Sequence, residues 1–340
     1  MEGNTNHGSA GRATMVDVAH AAGVSLKTVS RVVNGEPGVR PATAEKVNEA
    51  ATALRYERND IAASLRHGAR SFTLGLVIED VANPFYSTIA QAVEESARER
   101  SSMLITASAR EDPVRERELV TALLRRRVDA LLVVPTGADH RYIQDAGFDG
   151  RTVFVDRPPA KTKADTVLVE NAAGARRAVE HLLAHGHTRI ALVGDDERLF
   201  TARERLTGYR RALGKAGLEV DSILVSVGCS TSAAATQATA ELLALPREQR
   251  PTAILAGNNR CTVGALHALG GRRNRVALVG FDDFELADLL AVSVVRTDPY
   301  RLGQLAAELA FARIDGDDRA PQRIVVPAQL VARGSGEIRA

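Results

Sequence analysis

The sequence predicts a small all-α helix-turn-helix domain followed by a two-lobed α/β domain with parallel sheets. Short helical patterns joined at a glycine occupy residues 14–56. After residue 71, apolar runs typical of buried strands alternate with amphipathic helical patterns, and this alternation is typical of parallel sheets covered by helices. A chain of 340 residues is also long enough for two or three domains.

The composition is that of a globular protein, with 45% hydrophobic and 25% charged residues. The net charge of +2 resides in residues 1–70, an excess too small to establish nucleic-acid contact by itself. Cys229 and Cys261 lack the spacing of a zinc site, so we expect two buried thiols. No apolar run approaches the roughly 20 residues that span a bilayer, and the N-terminus lacks an apolar signal core. We therefore expect a cytoplasmic protein without a membrane partner, in which residues 1–13 form a disordered tail.

The N-terminal domain is predicted to contain three short helices. Thr14 is a suitable N-cap for the first helix, and Gly23 is expected to end it. Ser25 can cap the second helix, Leu26–Val33. The third begins near Pro41, since proline is tolerated at the first helical position.

The second helix is a candidate DNA-reading helix, because a helix fits the major groove with its N-terminal residues at the base edges. Arg31 can form two parallel hydrogen bonds with a guanine, which contribute about 1–3 kcal/mol of discrimination. Leu26 and Lys27 lie at the start of the helix, where they would change which bases are recognised. Short polar side chains suited to phosphate oxygens complete the set: Ser25, Thr28, Ser30 and Asn34. A three-helix unit whose polar face is merely solvated remains the alternative at this point.

Residues 57–70 are predicted to be a hinge or linker with a short helical pattern. A helix of about eight residues is marginal in water, so a partner would have to order it. Leu65 is its large apolar residue beyond Ile61, and it could enter between base steps of the minor groove. Packing of Leu65 on the next domain is an equally good interpretation.

The α/β part, residues 71–340, is predicted to bind a ligand between its lobes. We expect an N-lobe of about residues 71–168 plus 297–326 and a C-lobe of about residues 169–296 plus 327–340. Ligands of such folds lie at the carboxyl ends of the strands. The candidate effector-binding residues that follow predicted strands are Asn83, Phe85, Tyr86, Asp156, Arg157, Arg205, Asn258 and Asp282. Aromatic rings stack on the apolar face of a sugar while charged and amide groups bond its hydroxyls, so this set suits a sugar.

Structural alternatives exist for several of these residues. Asp156 and Arg157 could form an interlobe salt bridge, and Phe85 could belong to the core. Arg205 and Asp282 are expected to pair, because opposite charges at strand ends in a cleft need a partner.

Enzyme chemistry is not indicated. No G-x-G-x-x-G follows the first strand, and no GxxxxGK[ST] loop occurs. The 8 histidines are scattered, and neither a Ser/His/Asp set nor paired carboxylates form a motif. We expect no catalytic residue, no metal and no cofactor. A sugar-binding module for transport would leave residues 14–67 without a role.

Several segments together resemble the LacI/GalR family of bacterial repressors: VDVAHAAGVSLKTVSRVVNG, RYERNDIAASL, LGLVIEDVANPFY, GHTRIALVGD and VALVGFDD. The resemblance covers about residues 14–335, with the motifs in order. It implies a helix-turn-helix domain and a periplasmic-binding-protein-like sensor in a homodimer that binds a palindromic double-stranded operator. It also implies a small effector such as a sugar, a pentose or a nucleoside, with induction commoner than corepression.

The resemblance assigns roles to particular residues. Leu26, Lys27 and Arg31 match base-reading positions, and Leu65 matches the minor-groove wedge of the hinge helix. The eight cleft residues match ligand positions. The chain departs from the family pattern at Asn258-Asn259, where Asn-Asp is usual, and at Thr297, where a glutamine often contacts the ligand.

Overall fold

The computed structural model describes residues 13–33, 36–56, 71–137 and 139–340. The chain divides into two units, Met1–Ser71 and Phe72–Ala340. Asn34 and Leu65 lie outside the described residues, so their predicted DNA contacts remain predictions. Within the described ranges, no helix combines the length and the apolarity needed to cross a membrane.

The first unit contains α1 (Met15–Ala22), α2 (Leu26–Val33) and α3 (Pro41–Ala53). Thr14 and Asp17 form a capping box, in which the Thr14 backbone N–H donates to the Asp17 carboxylate at 2.8 Å. The predicted end of the first helix is confirmed, since Gly23 has a left-handed φ of 63° that favours glycine.

The second helix begins as its sequence predicts. Ser25 Oγ accepts a hydrogen bond from the Thr28 backbone N–H at 3.2 Å, which satisfies one of the free donors of the first turn. A small apolar core holds the three helices together: Val18, Ala19, Val29 and Val47. The helices are short, so this shared core supplies most of their stability.

The second unit runs in chain order through β1 (Thr73–Ile78), α4 (Pro84–Glu99), β2 (Met103–Ser108), α5 (Pro113–Arg125), β3 (Ala130–Val133), α6 (Arg141–Asp145), β4 (Thr152–Asp156), β5 (Asp165–Val169), α7 (Asn171–Ala184), β6 (Ile190–Val193), α8 (Phe200–Lys215), β7 (Val225–Ser226), α9 (Ser232–Ala244), β8 (Ala253–Ala256), α10 (Asn259–Leu269), β9 (Ala277–Phe281), β10 (Ser293–Arg296), α11 (Pro299–Ile314), β11 (Arg323–Val326) and β12 (Gln329–Val331).

Two sheets form the two lobes, as the alternation of strands and helices predicts. The first sheet has the order β11-β5-β4-β3-β1-β2 and is parallel throughout. The second has the order β12-β10-β9-β8-β6-β7, with β12 antiparallel to β10 and the other pairs parallel. Strands β3, β4 and β8 are buried along their whole length, which explains why they read as continuous apolar runs.

The chain passes between the lobes at the β5–α7, β10–α11 and β11–β12 connections. The second of these lies next to the lobe boundary predicted at about residues 296–297. Helix α11 then packs on α4 in the first lobe, whereas α7 packs on α8 in the second. Short connections of this kind permit a change in the angle between two lobes without a change within either.

Gly208 lies at a close approach between α7 and α8. A Cβ atom at Gly208 would lie 2.1 Å from the carbonyl oxygen of Ala172, which is backbone and cannot rotate away. We expect Gly208→Ala to lower the free energy of unfolding by about 2–3 kcal/mol, because the two helices must separate.

Gly214 on the same helix is the matched control, since a Cβ atom there would meet nothing within 4 Å. Gly214→Ala should be neutral or should stabilise the protein by up to about 1 kcal/mol through helix propensity. Thermal melts of both variants test the pair, and an unchanged melting temperature for Gly208→Ala would contradict the close helix contact.

Candidate functional site

A cavity of about 1050 Å³ lies between the two lobes of the second unit, at the carboxyl ends of the strands. Its wall contains all the candidate effector-binding residues: Asn83, Phe85, Tyr86, Asp156, Arg157, Arg205, Asn258 and Asp282. Residues that follow strands of both sheets therefore line the same cavity. Their positions directly after predicted strands lead to this expectation.

The first lobe contributes a buried hydrogen-bond network centred on Arg157. This guanidinium donates two hydrogen bonds to the Glu111 carboxylate, at 2.8 and 2.6 Å, and a third to the Tyr86 hydroxyl at 3.1 Å. Tyr86 in turn donates to Asp156 Oδ2 at 3.1 Å. Arg157 thus bonds within its own lobe, and its Nε lies 3.6 Å from Asp156 Oδ2. Among the described residues, neither Asp156 nor Arg157 forms the interlobe salt bridge considered for them.

The second lobe contributes Arg205 and Asp282, which are paired as expected. Arg205 Nη1 lies 3.7 Å from Asp282 Oδ2, and the Thr297 hydroxyl donates to Asp282 Oδ1 at 3.0 Å. Arg205 also donates to Asn171 Oδ1 at 2.7 Å and to the carbonyl oxygen of Gly257. Its guanidinium stacks 3.8 Å from the centre of the Phe281 ring, so its position is constrained from several sides.

Burial perturbs both cavity aspartates. Burial raises the pKa of Asp156, and Arg157 and Arg205 oppose this effect. Burial likewise raises the pKa of Asp282, against Arg205 and Thr297. Such carboxyls hold their protons more readily than exposed ones, and in their ionised form they bind hydroxyl groups strongly.

The backbone at these two aspartates is also unusual. Asp156 ends β4 with a φ of 67°, and Asp282 directly follows β9 with a φ of 65°. A non-glycine residue in the left-handed region costs about 1 kcal/mol or more, and such strain concentrates at functional sites. Since β4 and β9 have equivalent places in their sheets, the same strained turn occurs in both halves of the cavity wall.

Two asparagines in the cavity wall also cap helices. Asn83 accepts a hydrogen bond from the Phe85 backbone N–H at 3.2 Å at the start of α4. Asn258 accepts one from the Cys261 backbone N–H at 2.7 Å at the start of α10. The capping bonds fix both amides, which therefore present a set orientation to a ligand.

Phe85 belongs to the core and to the cavity wall at once. It is 8% exposed, and its ring packs edge-to-face on Tyr86 with 5.1 Å between ring centres. The core interpretation considered for Phe85 is therefore correct, and it does not exclude contact with a ligand.

Two contacts that span the cleft were missed by the sequence analysis. Arg260 of the second lobe donates to Glu79 at 3.0 Å and to Asp80 at 2.9 Å, both in the first lobe. Beside it, Asn259 Nδ2 donates to Asn83 Oδ1 at 2.8 Å. The sequence contained a signal for the Arg260 contact. An arginine in the first turn of a helix is unfavourable near the positive end of the helix dipole, so an acidic partner is expected nearby.

A buried carboxylate behind the cavity, Glu116, was also missed. It accepts hydrogen bonds from the Thr136 backbone N–H at 2.5 Å, the Thr136 hydroxyl at 2.8 Å and the Tyr142 hydroxyl at 3.0 Å. Burial opposes its ionisation, but His140 and Thr136 outweigh burial and lower its pKa to about 2. Because Thr136 lines the cavity, Glu116 holds part of the wall from behind.

The candidate DNA-reading helix in the first unit exposes the residues predicted to read bases. Leu26, Lys27 and Arg31 are exposed, and Lys27 and Arg31 share a face because they are four residues apart. Arg31 Nε lies 3.8 Å from Glu36 Oε2, and both side chains are exposed.

Two of the predicted phosphate-binding residues are less accessible. Thr28 and Ser30 are half-buried, and the Ser25 hydroxyl is used within the protein, since it lies 2.8 Å from the Thr28 hydroxyl. Asn34 lies outside the described residues.

The fold and the site together define a class of protein: a helix-turn-helix regulator joined to a periplasmic-binding-protein-like core. Residues 14–59 match the bacterial regulatory proteins of the lacI family, and residues 179–336 match the periplasmic binding protein-like domain. The ribose operon repressor of Escherichia coli (strain K12) is 33% identical over 331 residues, which cover 95% of this chain and 99% of the repressor. The chain belongs to the LacI family of bacterial regulatory proteins.

Solved structures are similar over nearly the whole chain. The Lac repressor dimer bound to operator and the anti-inducer ONPF has a TM-score of 0.81 and 27% identity, and the match covers 96% of this chain and 99% of that chain. The complex of the transcriptional regulator CelR with cellobiose has a TM-score of 0.70 and 31% identity, with coverage of 95% and 100%. These relatives are transcriptional regulators and not enzymes.

Proposed function

We propose that this protein is a sequence-specific DNA-binding transcriptional regulator, a repressor of a carbohydrate-utilisation operon. It binds a palindromic operator as a homodimer and is released by a small effector in the interlobe cavity. The observation that carries the proposal is the convergence of charged, amide and aromatic side chains from both lobes on that cavity. A sugar, a pentose or a nucleoside-like molecule offers the hydroxyl groups that such a wall binds.

The relatives support a carbohydrate effector. One is named for the ribose operon, and another was solved with cellobiose. Hydrogen bonds to charged groups contribute about 1.5–3 kcal/mol each, so a few of them provide micromolar affinity.

The proposed coupling between effector binding and operator binding depends on the angle between the two lobes. An effector that contacts Asp156 and Arg157 on one side and Arg205 and Asp282 on the other favours one angle over others. In a dimer, this angle sets the spacing of the two hinge segments, residues 57–70, where Leu65 would enter the minor groove. Linkage is reciprocal, so the effector weakens operator binding by the factor by which the operator weakens effector binding.

In the operator complex, Leu26, Lys27 and Arg31 would meet base edges. Ser25, Thr28, Ser30 and Asn34 would contact the phosphate backbone, which positions the helix without reading sequence. The half-buried state of Thr28 and Ser30 favours a supporting role for these two in the proposal.

One experiment distinguishes the proposed repressor from two alternatives, a corepressor-dependent regulator and a sugar-binding module without a DNA role. Full-length protein is screened by thermal shift against monosaccharides, pentoses and nucleosides, and each hit is added to protein bound to a DNA selected from random sequence. Release of the DNA by a hit supports the proposal, and tighter DNA binding identifies a corepressor. A sugar that binds protein for which no sequence can be selected indicates a sugar-binding module without a DNA role.

Arg31→Ala should remove most of the preference for the selected operator. The loss of a bidentate arginine–guanine contact corresponds to about 1–3 kcal/mol, or roughly tenfold to hundredfold in affinity for the specific site. The measurement is competition between the operator and single-base variants. Lys46→Ala, which removes an exposed positive charge from α3, serves as control and should retain the preference. If Arg31→Ala discriminates as the wild type does, Arg31 is not a base reader.

A further inference from the structure

The inner wall of the cavity has more acidic than basic side chains. Its carboxylates are Glu79, Asp80, Glu111, Asp156, Asp195 and Asp282. Its guanidinium groups are Arg157, Arg205 and Arg260. With all of these groups ionised, the inner wall has a net negative charge. The other charged residues of the wall are Arg110, Asp196, Arg198 and Arg203.

Those other charges act weakly inside the cavity. Arg110, Arg198 and Arg203 are exposed, and Arg198 already pairs with Asp196 at 2.7 Å. Water and salt screen exposed charges over about 10 Å, whereas buried charges are screened much less. The inner side chains therefore dominate the potential that a ligand experiences.

The three inner arginines are committed to particular carboxylates. Arg157 forms a two-bond pair with Glu111, and its Nε lies 3.6 Å from Asp156 Oδ2. Arg260 bridges Glu79 and Asp80. Arg205 lies beside Asp282. These pairs leave Asp195 without a cation of its own.

Asp195 follows β6 and is a half-buried member of the cavity wall. Its hydrogen bonds within the described residues come from the Asn258 side-chain amide at 3.1 Å and the Asp196 backbone N–H at 2.9 Å, both neutral donors. A carboxylate accepts about four hydrogen bonds, so Asp195 retains capacity for a ligand. Burial also raises its pKa, and the Asp196 backbone N–H, Arg157 and Arg205 oppose this effect only in part.

A second observation independently points to a ligand in this cavity. Asp156 Oδ1 and Arg157 Nε are buried and have no hydrogen-bond partner among the described residues. The two residues are only 2% and 5% exposed, and both belong to the cavity wall. Buried polar groups are almost always paired, so a ligand that both donates and accepts would complete them, as a hydroxyl does.

We propose that Asp195 is an effector-binding residue and that the effector is an amino sugar or another polyol with a protonated amino group. The inference rests on the proposed function of the cavity as an effector site. Hydroxyl groups of the effector satisfy Asp156 and Arg157, while its ammonium group donates to Asp195. A phosphate or carboxylate group in the same place would face the unpaired Asp195 carboxylate, so phosphorylated sugars are rejected.

The test uses sets of sugars that share one ring and differ in charge. Full-length protein is titrated calorimetrically with D-glucose, D-glucosamine and D-glucose 6-phosphate, and with the corresponding galactose, mannose and ribose compounds. In the set whose ring fits, we expect the amino sugar to bind about tenfold or more tightly than the neutral parent. The phosphorylated member should bind most weakly.

Asp195→Asn tests the charge, because it retains the size and one acceptor oxygen but removes the charge and replaces the other oxygen with an NH2 donor. The preference for the amino sugar over its neutral parent should fall about tenfold to hundredfold. Glu197→Gln removes one negative charge from an exposed residue that is not in the cavity wall, and it should leave the preference unchanged.

Each other outcome overturns the inference. The inference fails if no amino sugar binds, or if a neutral or phosphorylated member binds as tightly as the amino sugar or more tightly. It also fails if the Asp195→Asn protein has the wild-type preference. If a neutral sugar binds and releases the selected operator, the inference fails while the proposed function stands. If no DNA sequence is selected at all, the proposed function itself fails.

Discussion

Arg205→Ala is expected to abolish the response to effector and to lower the free energy of unfolding by about 3–5 kcal/mol. Arg205 is 7% exposed, and its loss leaves the buried Asp282 carboxylate without its cation and the Gly257 carbonyl group without its arginine donor. A buried charge that loses its partner carries its full desolvation cost. Thermal melts followed by far-UV circular dichroism measure the effect, since the chain contains no tryptophan for fluorescence.

Two companion variants separate the lost ion pair from lost packing. Arg205→Ala/Asp282→Asn leaves no lone buried charge and should recover at least about 1 kcal/mol of the loss. Arg205→Lys retains the charge but not the planar fork, and it should be intermediate. A double variant as unstable as Arg205→Ala would contradict a charge-based cause.

The stability loss should depend on pH in a defined direction. Burial already raises the pKa of Asp282, and the loss of Arg205 raises it further. An acid whose pKa is raised on folding destabilises the protein as pH rises from its unfolded value, about 4, through its folded value. The difference between the wild type and Arg205→Ala should therefore grow with pH over that interval and should then level off.

Much of the site was predictable because it follows from strand positions. Buried parallel strands read as apolar runs, and the polar residues that end them reach one edge of each sheet. Asp156 and Asp282 are found in this way, from the ends of TVFV and VALVGF. Helix caps in the first unit were equally readable, because Thr14 and Asp17 are only three residues apart.

The missed contacts join residues that are distant in sequence. Glu111 and Arg157 are 46 residues apart, and Glu79 and Arg260 are 181 apart. No local pattern pairs such residues, since their contact depends on strand order and on side-chain rotamers. Asp195 was missed for a related reason. Its importance arises because the arginines of the cavity wall already pair with other carboxylates.

The Arg260 bridge across the cleft should hold the two lobes in the arrangement of this structure, called here the closed arrangement. Arg260 is half-buried and bonded to two first-lobe carboxylates, so the bridge should contribute more than an exposed salt bridge and less than a fully buried one. We expect Arg260→Glu to destabilise the closed arrangement by about 1–3 kcal/mol, which weakens effector binding roughly tenfold to hundredfold. Hydrogen exchange should also accelerate at residues 79–86 and 257–262, which face each other across the cleft.

A charge exchange provides the decisive control for this bridge. Arg260→Glu/Asp80→Arg restores opposite charges across the cleft, with Glu79 still available to the new arginine, and it should recover most of the lost affinity. Arg275→Glu makes the same charge change at an exposed position outside the cavity wall and should bind effector as the wild type does. If Arg260→Glu retains wild-type exchange and affinity, the closed arrangement depends on the Asn83–Asn259 hydrogen bond and on packing, and the electrostatic bridge does not control it.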